Sequence, residues 1–129
     1  MATMDYVNVF AEDIEKLANF YMTVFGFEEI EEMRYPIFRA VKAGRINIGF
    51  NAMDAYDLLE LAEHRDTSGI KFLLNFTCAS KREVDHISQR AQDLGAVAIK
   101  QPYKTYYNWY QAVLLDPEGN CFRINRILK

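Results

Sequence analysis

The chain has 129 residues, half of them hydrophobic and 14% aromatic, which is enough for one domain with a sizeable core. The formal net charge is −3 with acids and bases interspersed, so there is no basic block for nucleic acid. No apolar run approaches the ~20 residues of a membrane span, and the N-terminus does not resemble a signal peptide. We therefore expect a single cytoplasmic domain over residues 1–129, with Cys78 and Cys121 as free thiols.

Residues 4–52 predict a first module with the order strand, helix and three strands. Apolar and polar residues alternate over 4–11, as in a strand. Apolar residues then recur at helical spacing over 13–25, between an N-cap at Asp13 and a stop at Gly26. Three short strands follow, separated by Pro36 and Gly44, and they are predicted at 27–35, 37–43 and 45–52.

Residues 53–69 interrupt this pattern and predict a linker. A short helix is expected over 54–62. The polar run at 63–69 is typical of a connector.

Residues 70–127 predict a second module of the same order. A strand at 70–78 leads to a helix at 80–94 that opens with the capping box Ser80-Lys81-Arg82-Glu83. A strand at 96–100 is expected to end before Pro102, and a hairpin over 107–127 closes the module. The core Val7-Asn8-Val9 recurs as Leu74-Asn75-Phe76, which indicates an internal duplication whose halves pair to bury a shared core.

Two stretches resemble a known family. VNVFAEDIEKLANFYMTVFGF (7–27) and LLDPEGNCFRI (114–124) are similar to the vicinal oxygen chelate superfamily, which includes glyoxalase I, bleomycin resistance proteins and extradiol dioxygenases. The resemblance implies an α+β fold in which two paired βαβββ modules form a curved mixed sheet with a concave cleft. It also implies a homodimer, because relatives of this length usually build their clefts between two chains.

The resemblance also implies positions for a divalent metal. The family's enzymes hold it with histidines and glutamates from four strands, and here those positions fall on Tyr6, Gly49 (within one or two residues), Leu73 and Arg123. Leucine and glycine side chains offer no lone pair, and a guanidinium stays protonated. Its charge beside a dication would cost several kcal/mol at ~4 Å, even at an effective dielectric near 20. We therefore expect no metal site and no cofactor.

Strand parity instead predicts a polar set on the concave face. One cation with several neutral hydrogen-bonding groups, walled by aromatics from 104–110, suits a small anionic or aromatic ligand. Two alternatives stay open: the asparagines simply face water, or Arg123 pairs with an acid such as Glu29 or Glu32. The expected ligand-binding residues are Tyr6, Asn8, Asn47, Asn75, Tyr110 and Arg123.

The sequence thus favours a metal-free protein that binds and sequesters a drug or metabolite, without nucleic-acid or membrane partners. The alternative is an enzyme with an atypical site, either a glyoxalase-like lyase or isomerase or a dioxygenase. A protein-interaction role is a third hypothesis.

Overall fold

The computed structural model describes residue 1, residues 3–65 and residues 69–129. The chain divides into two units, Met1–Gly69 and Ile70–Lys129, which we call module 1 and module 2. Each has its own four-stranded mixed sheet, which confirms the α+β fold class with its repeated β-α-β-β-β order. Residues 66–68 of the expected connector lie outside the described residues.

Module 1 has the sheet order β1-β4-β3-β2, in which β1 and β4 are parallel and the other neighbours antiparallel. Its helix begins where the Asp13 side chain accepts a hydrogen bond from the Lys16 amide at 3.0 Å. It ends at Gly26, which has a φ of 75° that favours glycine. The elements are β1 (Tyr6–Ala11), α1 (Ile14–Phe25), β2 (Glu28–Glu29), β3 (Phe38–Lys42) and β4 (Asn47–Ala52).

Two expected elements of residues 1–69 are present but shorter than predicted. The strand predicted at 27–35 shrinks to β2, because a 3₁₀ turn at Glu31–Met33 bends the chain back until Arg34 reaches Glu29. The helix predicted at 54–62 splits into α2 (Asp54–Leu58) and a 3₁₀ turn at Ala62–His64. Glu60, with a φ of 58°, interrupts it, since a non-glycine residue in the left-handed region cannot continue a helix.

Module 2 has the sheet order β5-β8-β7-β6, with β5 and β8 parallel. Its helix is capped by Ser80, whose Oγ accepts from the Glu83 amide at 3.0 Å. The Glu83 carboxylate accepts in turn from the Ala79 amide at 2.8 Å, one residue earlier than in the expected capping box. The elements are β5 (Leu74–Thr77), α3 (Lys81–Asp93), β6 (Val97–Lys104), β7 (Trp109–Leu115) and β8 (Cys121–Ile127).

β6 runs through Pro102, so the expected end of this strand at Lys100 is wrong. Proline cannot donate to a ladder, but β6 is an edge strand and the register shifts on both sides of Lys100. The missing amide therefore breaks no pairing in the middle of the sheet.

In each module the helix covers one face of the sheet and builds the core there. In module 1 Tyr21 of α1 packs against Phe50, with ring centroids 5.6 Å apart, and both are fully buried. In module 2 Val84 of α3 and the inward side chains Phe122 and Ile124 are fully buried. Over the described ranges, no helix is long and apolar enough to cross a membrane.

Candidate functional site

The strand register in module 2 brings four polar side chains onto the face turned away from α3. Phe122 and Ile124 point toward the helix, so Arg123 and Asn125 point the opposite way. Asn75 lies opposite Arg123 in the parallel pairing, and Gln111 lies opposite Asn125 in the antiparallel one. We call these four residues, Asn75, Gln111, Arg123 and Asn125, the polar face.

Arg123 is fixed on this face by a neutral partner. Its Nε donates to Asn75 Oδ1 at 2.7 Å, and its guanidinium carbon lies 5.5 Å from the centre of the Trp109 ring. Within the described residues its side chain makes no other hydrogen bond and no salt bridge, so the Nη1 and Nη2 fork is free. Glu29, one of the acids considered for it, instead accepts a hydrogen bond from Arg34 Nε at 2.9 Å.

Asn125 is fully buried, and its Nδ2 donates to the same Asn75 oxygen at 2.6 Å. Its own Oδ1 is buried and has no hydrogen-bond partner among the described residues. A buried acceptor left in this state costs about 1–3 kcal/mol.

Gln111 extends the polar face toward two tyrosines. Its Oε1 accepts from Tyr107 at 2.9 Å, and its Nε2 donates to the Tyr103 hydroxyl at 3.3 Å. Tyr107 also packs edge-on against Trp109, with ring centroids 5.4 Å apart. The sequence predicts aromatic walls from 104–110 but does not single out Gln111 or Tyr103. The alternation of side chains along β7 places Gln111 on the polar face only when the register of β7 against β8 is known.

Tyr110 does not belong to the polar face, so its expected placement beside Arg123 is corrected. It lies opposite Arg126, and its hydroxyl donates to Asp85 Oδ1 on α3 at 2.6 Å. That hydrogen bond to the carboxylate raises the pKa of the phenol. The hairpin register puts Tyr110 on the helix side of the sheet.

Module 1 brings Tyr6, Asn8 and Asn47 together on the face turned away from α1. Tyr6 lies opposite Asn47, and Asn8 lies opposite Gly49. The space above Gly49 is filled: a Cβ there would stand 2.0 Å from Asn8 Oδ1 and 2.7 Å from the Phe38 ring. Gly49 and Arg123 therefore occupy equivalent positions in the two modules, opposite Asn8 and Asn75 respectively. Gly49 brings no charge to its position, whereas Arg123 brings a positive charge.

The residues at the family's metal positions do not fit a divalent cation. Gly49 has no side chain and is covered by Asn8 and Phe38, while Arg123 brings a fixed positive charge. Leu73, at the third position, offers only hydrocarbon. Across residues 1, 3–65 and 69–129, no three His, Cys, Asp or Glu side chains are grouped to hold a metal ion.

A groove of about 370 Å³ lies elsewhere, beside α1 in module 1. Its charges are largely compensated: Glu29 forms a salt bridge with Arg34 and also lies within the electrostatic influence of Arg39, whose Nη1 donates to the backbone carbonyls of Tyr35 and Phe38. Arg34 in turn lowers the pKa of the Glu29 carboxyl. The uncompensated guanidinium of Arg123 is the stronger candidate for holding a ligand. The groove is lined by Glu15, Ala18, Asn19, Met22, Glu29, Arg34 and Arg39.

Comparison with known families supports the fold. The model of the Glyoxalase/Bleomycin resistance protein/Dioxygenase superfamily matches residues 3–124. A protein from Burkholderia phytofirmans PsJN, described as a glyoxalase/bleomycin resistance protein/dioxygenase family enzyme, is 56% identical, with 98% of this chain and 100% of that chain covered and a TM-score of 0.95.

Two distant structures share the fold alone. A hypothetical protein from S. aureus is 19% identical, with a TM-score of 0.82 and coverage of 98% of this chain and 94% of its own. A lactoylglutathione lyase from Agrobacterium tumefaciens is 18% identical, with a TM-score of 0.70 and the same coverage. No curated protein matches the sequence significantly.

Proposed function

Because the chain belongs to the glyoxalase/bleomycin resistance protein/dioxygenase superfamily, we propose that it is a member that binds a small molecule without the metal of the family's enzymes. The ligand is a drug or metabolite that carries an anionic group, and the protein sequesters it. Arg123 holds the anionic group on the polar face of module 2.

The observation that carries this proposal is the half-buried guanidinium of Arg123, whose Nη1 and Nη2 make no hydrogen bond to the described residues. Its hydrogen-bond partner Asn75 is neutral and it forms no salt bridge with any described acid, so within the described residues its positive charge is not neutralised. A partly desolvated charge is costly until an anion balances it. A carboxylate or phosphate would accept two parallel hydrogen bonds from Nη1 and Nη2, and a charge-assisted interaction of this kind contributes about 1.5–3 kcal/mol.

The surroundings of Arg123 favour a ligand that also has a flat apolar part. The Arg123 guanidinium lies over the Trp109 ring, Tyr107 packs edge-on against Trp109, and aromatic side chains are the usual walls of small-molecule sites. Asn75 and Arg123 are the proposed ligand-binding residues of module 2, and Tyr6, Asn8 and Asn47 form a separate proposed set within module 1. Tyr110 is left out of both sets because it is bonded to α3.

A thermal-shift screen of small carboxylates, phosphates and aromatic acids tests the proposal. We expect anionic compounds to raise the melting temperature and matched neutral amides or alcohols not to do so. The mass-action stabilisation is about 2.7 kcal/mol at a ligand concentration one hundred times Kd, which such a screen resolves. A screen in which neutral compounds stabilise as well as their anionic partners would contradict it.

An enzyme with an atypical site is the second candidate, either a glyoxalase-like lyase or isomerase or a dioxygenase. The observation that favours it is that the 56% identical Burkholderia protein is described as a family enzyme. Elemental analysis after purification and dialysis separates the two candidates. Close to one nickel, zinc, iron or manganese ion per chain, retained together with turnover, would favour the enzyme.

We also propose a homodimer in the cytoplasm. Many large apolar side chains are exposed in the single chain, among them Phe72 and Ile99, at 62% and 60%. Both cysteines are free, as is typical of a reducing compartment. Light scattering on the purified protein measures the first point, and fractionation of the native host measures the second.

A further inference from the structure

The orientation of the Asn125 amide is determined by its neighbours. An arginine Nε–H can only donate, so the Asn75 atom 2.7 Å away must be its oxygen. The Asn125 atom that lies 2.6 Å from that same oxygen must then be its nitrogen. Asn125 Oδ1 is therefore directed away from Asn75, and it stays an acceptor whichever way other amides are turned.

Among residues 1, 3–65 and 69–129, no neighbouring side chain supplies a donor to this oxygen. Gln111, opposite Asn125 on β7, uses its Nε2 on the Tyr103 hydroxyl. Thr77, opposite on β5, is exposed and does not reach it. Asn125 is fully buried, so bulk water does not satisfy the oxygen either. A buried acceptor aimed at a face that already holds an unbalanced cation is thus ready for a donor from outside the chain.

We infer that the ligand carries an N–H or O–H donor close to its anionic group, and that this donor bonds Asn125 Oδ1. This inference rests on the proposed function and specifies its ligand class, a hydroxy- or amino-substituted carboxylic acid. Arg123 Nε and Asn125 Nδ2 both bond one oxygen, at 2.7 and 2.6 Å, so they are no more than about 5 Å apart. The guanidinium and the Asn125 amide therefore lie within the span of one small molecule. A donor on the carbon next to a carboxylate held by Arg123 bonds Oδ1 once the side chains that cover this oxygen shift.

The buried oxygen makes Asn125 a specificity-determining residue. An acid without the donor would bind Arg123 but leave the acceptor buried and unpaired. Sites built to pair with a substrate hydroxyl or amine reject the analogue without it for this reason. We expect a preference of about ten- to a hundredfold for the substituted acid.

Mandelate and phenylacetate are a matched pair that differ only in the hydroxyl. Trp109 is the single tryptophan of the chain and lies beside Arg123, so its fluorescence reports binding of both acids directly. Lactate and propionate form a second pair for calorimetry. We expect wild type to prefer the hydroxy acid in each pair, and Asn125→Leu to bind both members about equally, at the affinity of the unsubstituted acid. Arg123→Met should lose both.

The outcomes separate this inference from the proposed function. Equal affinity of wild type for both acids, with both lost in Arg123→Met, overturns the inference and leaves the anion site standing. No binding of either acid, or binding unchanged in Arg123→Met, overturns the proposed function and the inference with it. The wild-type preference decides the question even if Asn125→Leu does not fold. A crystal structure with bound mandelate in which a water or Thr77 donates to Asn125 Oδ1 would also overturn it.

Discussion

Arg123 and Asn75 are directly opposite one another in the parallel pairing of β8 with β5, and the arginine Nε donates to the asparagine oxygen at 2.7 Å. The bond fixes the direction of the guanidinium without neutralising it, since an amide oxygen carries no net charge. The same oxygen also receives the Asn125 amide, so one acceptor positions two side chains. Preorganisation of this kind lowers the entropy that a ligand loses on binding.

Replacing Arg123 by methionine keeps much of the side-chain length and removes the charge. We expect the affinity for an anionic ligand to fall by about ten- to a hundredfold, because the two charge-assisted bonds are lost. Trp109 fluorescence titration measures it. Arg126→Met is the matched control, since Arg126 lies on the same strand with its side chain on the opposite face. Unchanged affinity together with a sharply lower melting temperature in Arg123→Met would make Arg123 a structural residue.

Asn75→Asp tests whether anion binding requires that Arg123 has no acidic partner to neutralise its charge. The carboxylate keeps an oxygen acceptor for both neighbours but pairs ionically with the guanidinium. We therefore expect anion affinity at pH 7 to fall at least about tenfold while the urea midpoint is unchanged or higher. Thr23→Asp adds the same charge on an exposed site of α1 and should leave binding as it is. An Asn75→Asp protein that binds anions like wild type would contradict the charge argument.

Gly49→Ala should destabilise module 1. The added methyl group would stand 2.0 Å from Asn8 Oδ1 and 2.7 Å from the Phe38 ring, and overpacking of this kind costs about 1–3 kcal/mol. Urea denaturation measures the loss. Asn8→Ala in the same chain removes the nearer clash, so the double variant should recover part of the stability. If the single variant is as stable as wild type, the space above Gly49 is not filled in solution.

Cys78 predicts a pH dependence of stability. Burial, together with the nearby Glu83 carboxylate, raises the pKa of this thiol to about 11. Between its ordinary pKa near 9 and that value, the unfolded chain loses the proton while the folded chain retains it. The contribution of this thiol to the free energy of unfolding is therefore fully present below pH 9 and declines as the pH rises toward 11.

Urea midpoints measured from pH 8 to pH 11 check this expectation. We expect Cys78→Ala to decline less steeply than wild type over that range. Cys121→Ala is the control, since the pKa of the Cys121 thiol is also raised by burial but that residue is only half-buried. Identical slopes in wild type and Cys78→Ala would show that the thiol titrates as in the unfolded chain.

Much of the fold could be predicted from the sequence because the relevant signals are local. Asp13 and Ser80 cap their helices as the residue types require, and the period of two in 121–125 gave Arg123 and Asn125 a common face. Parity works on β5 and β8 because buried Phe122 and Ile124 fix which side is the core.

The rest depended on contacts that are not local. Tyr110 was misplaced because its face depends on the pairing of Leu115 with Cys121 across the turn, which alternation within β7 does not specify. The bend after Glu29 depends on the salt bridge that Glu29 forms with Arg34, five residues later in the chain. The unpaired oxygen of Asn125 follows from two hydrogen bonds to a residue 50 positions away, and no local pattern could indicate it.

The interrupted hydrogen-bonding ladder of the edge strand β6 makes it harder for strands of other molecules to pair with it. A long, straight, apolar edge strand is a template for strands of other molecules, and β6 exposes Val97 and Ile99 at 56% and 60%. Pro102 removes one donor from that edge, and the two register shifts keep the remaining donors out of a continuous row. A strand from another chain would find only short runs to pair with, so the irregularity in β6 opposes aggregation at high protein concentration.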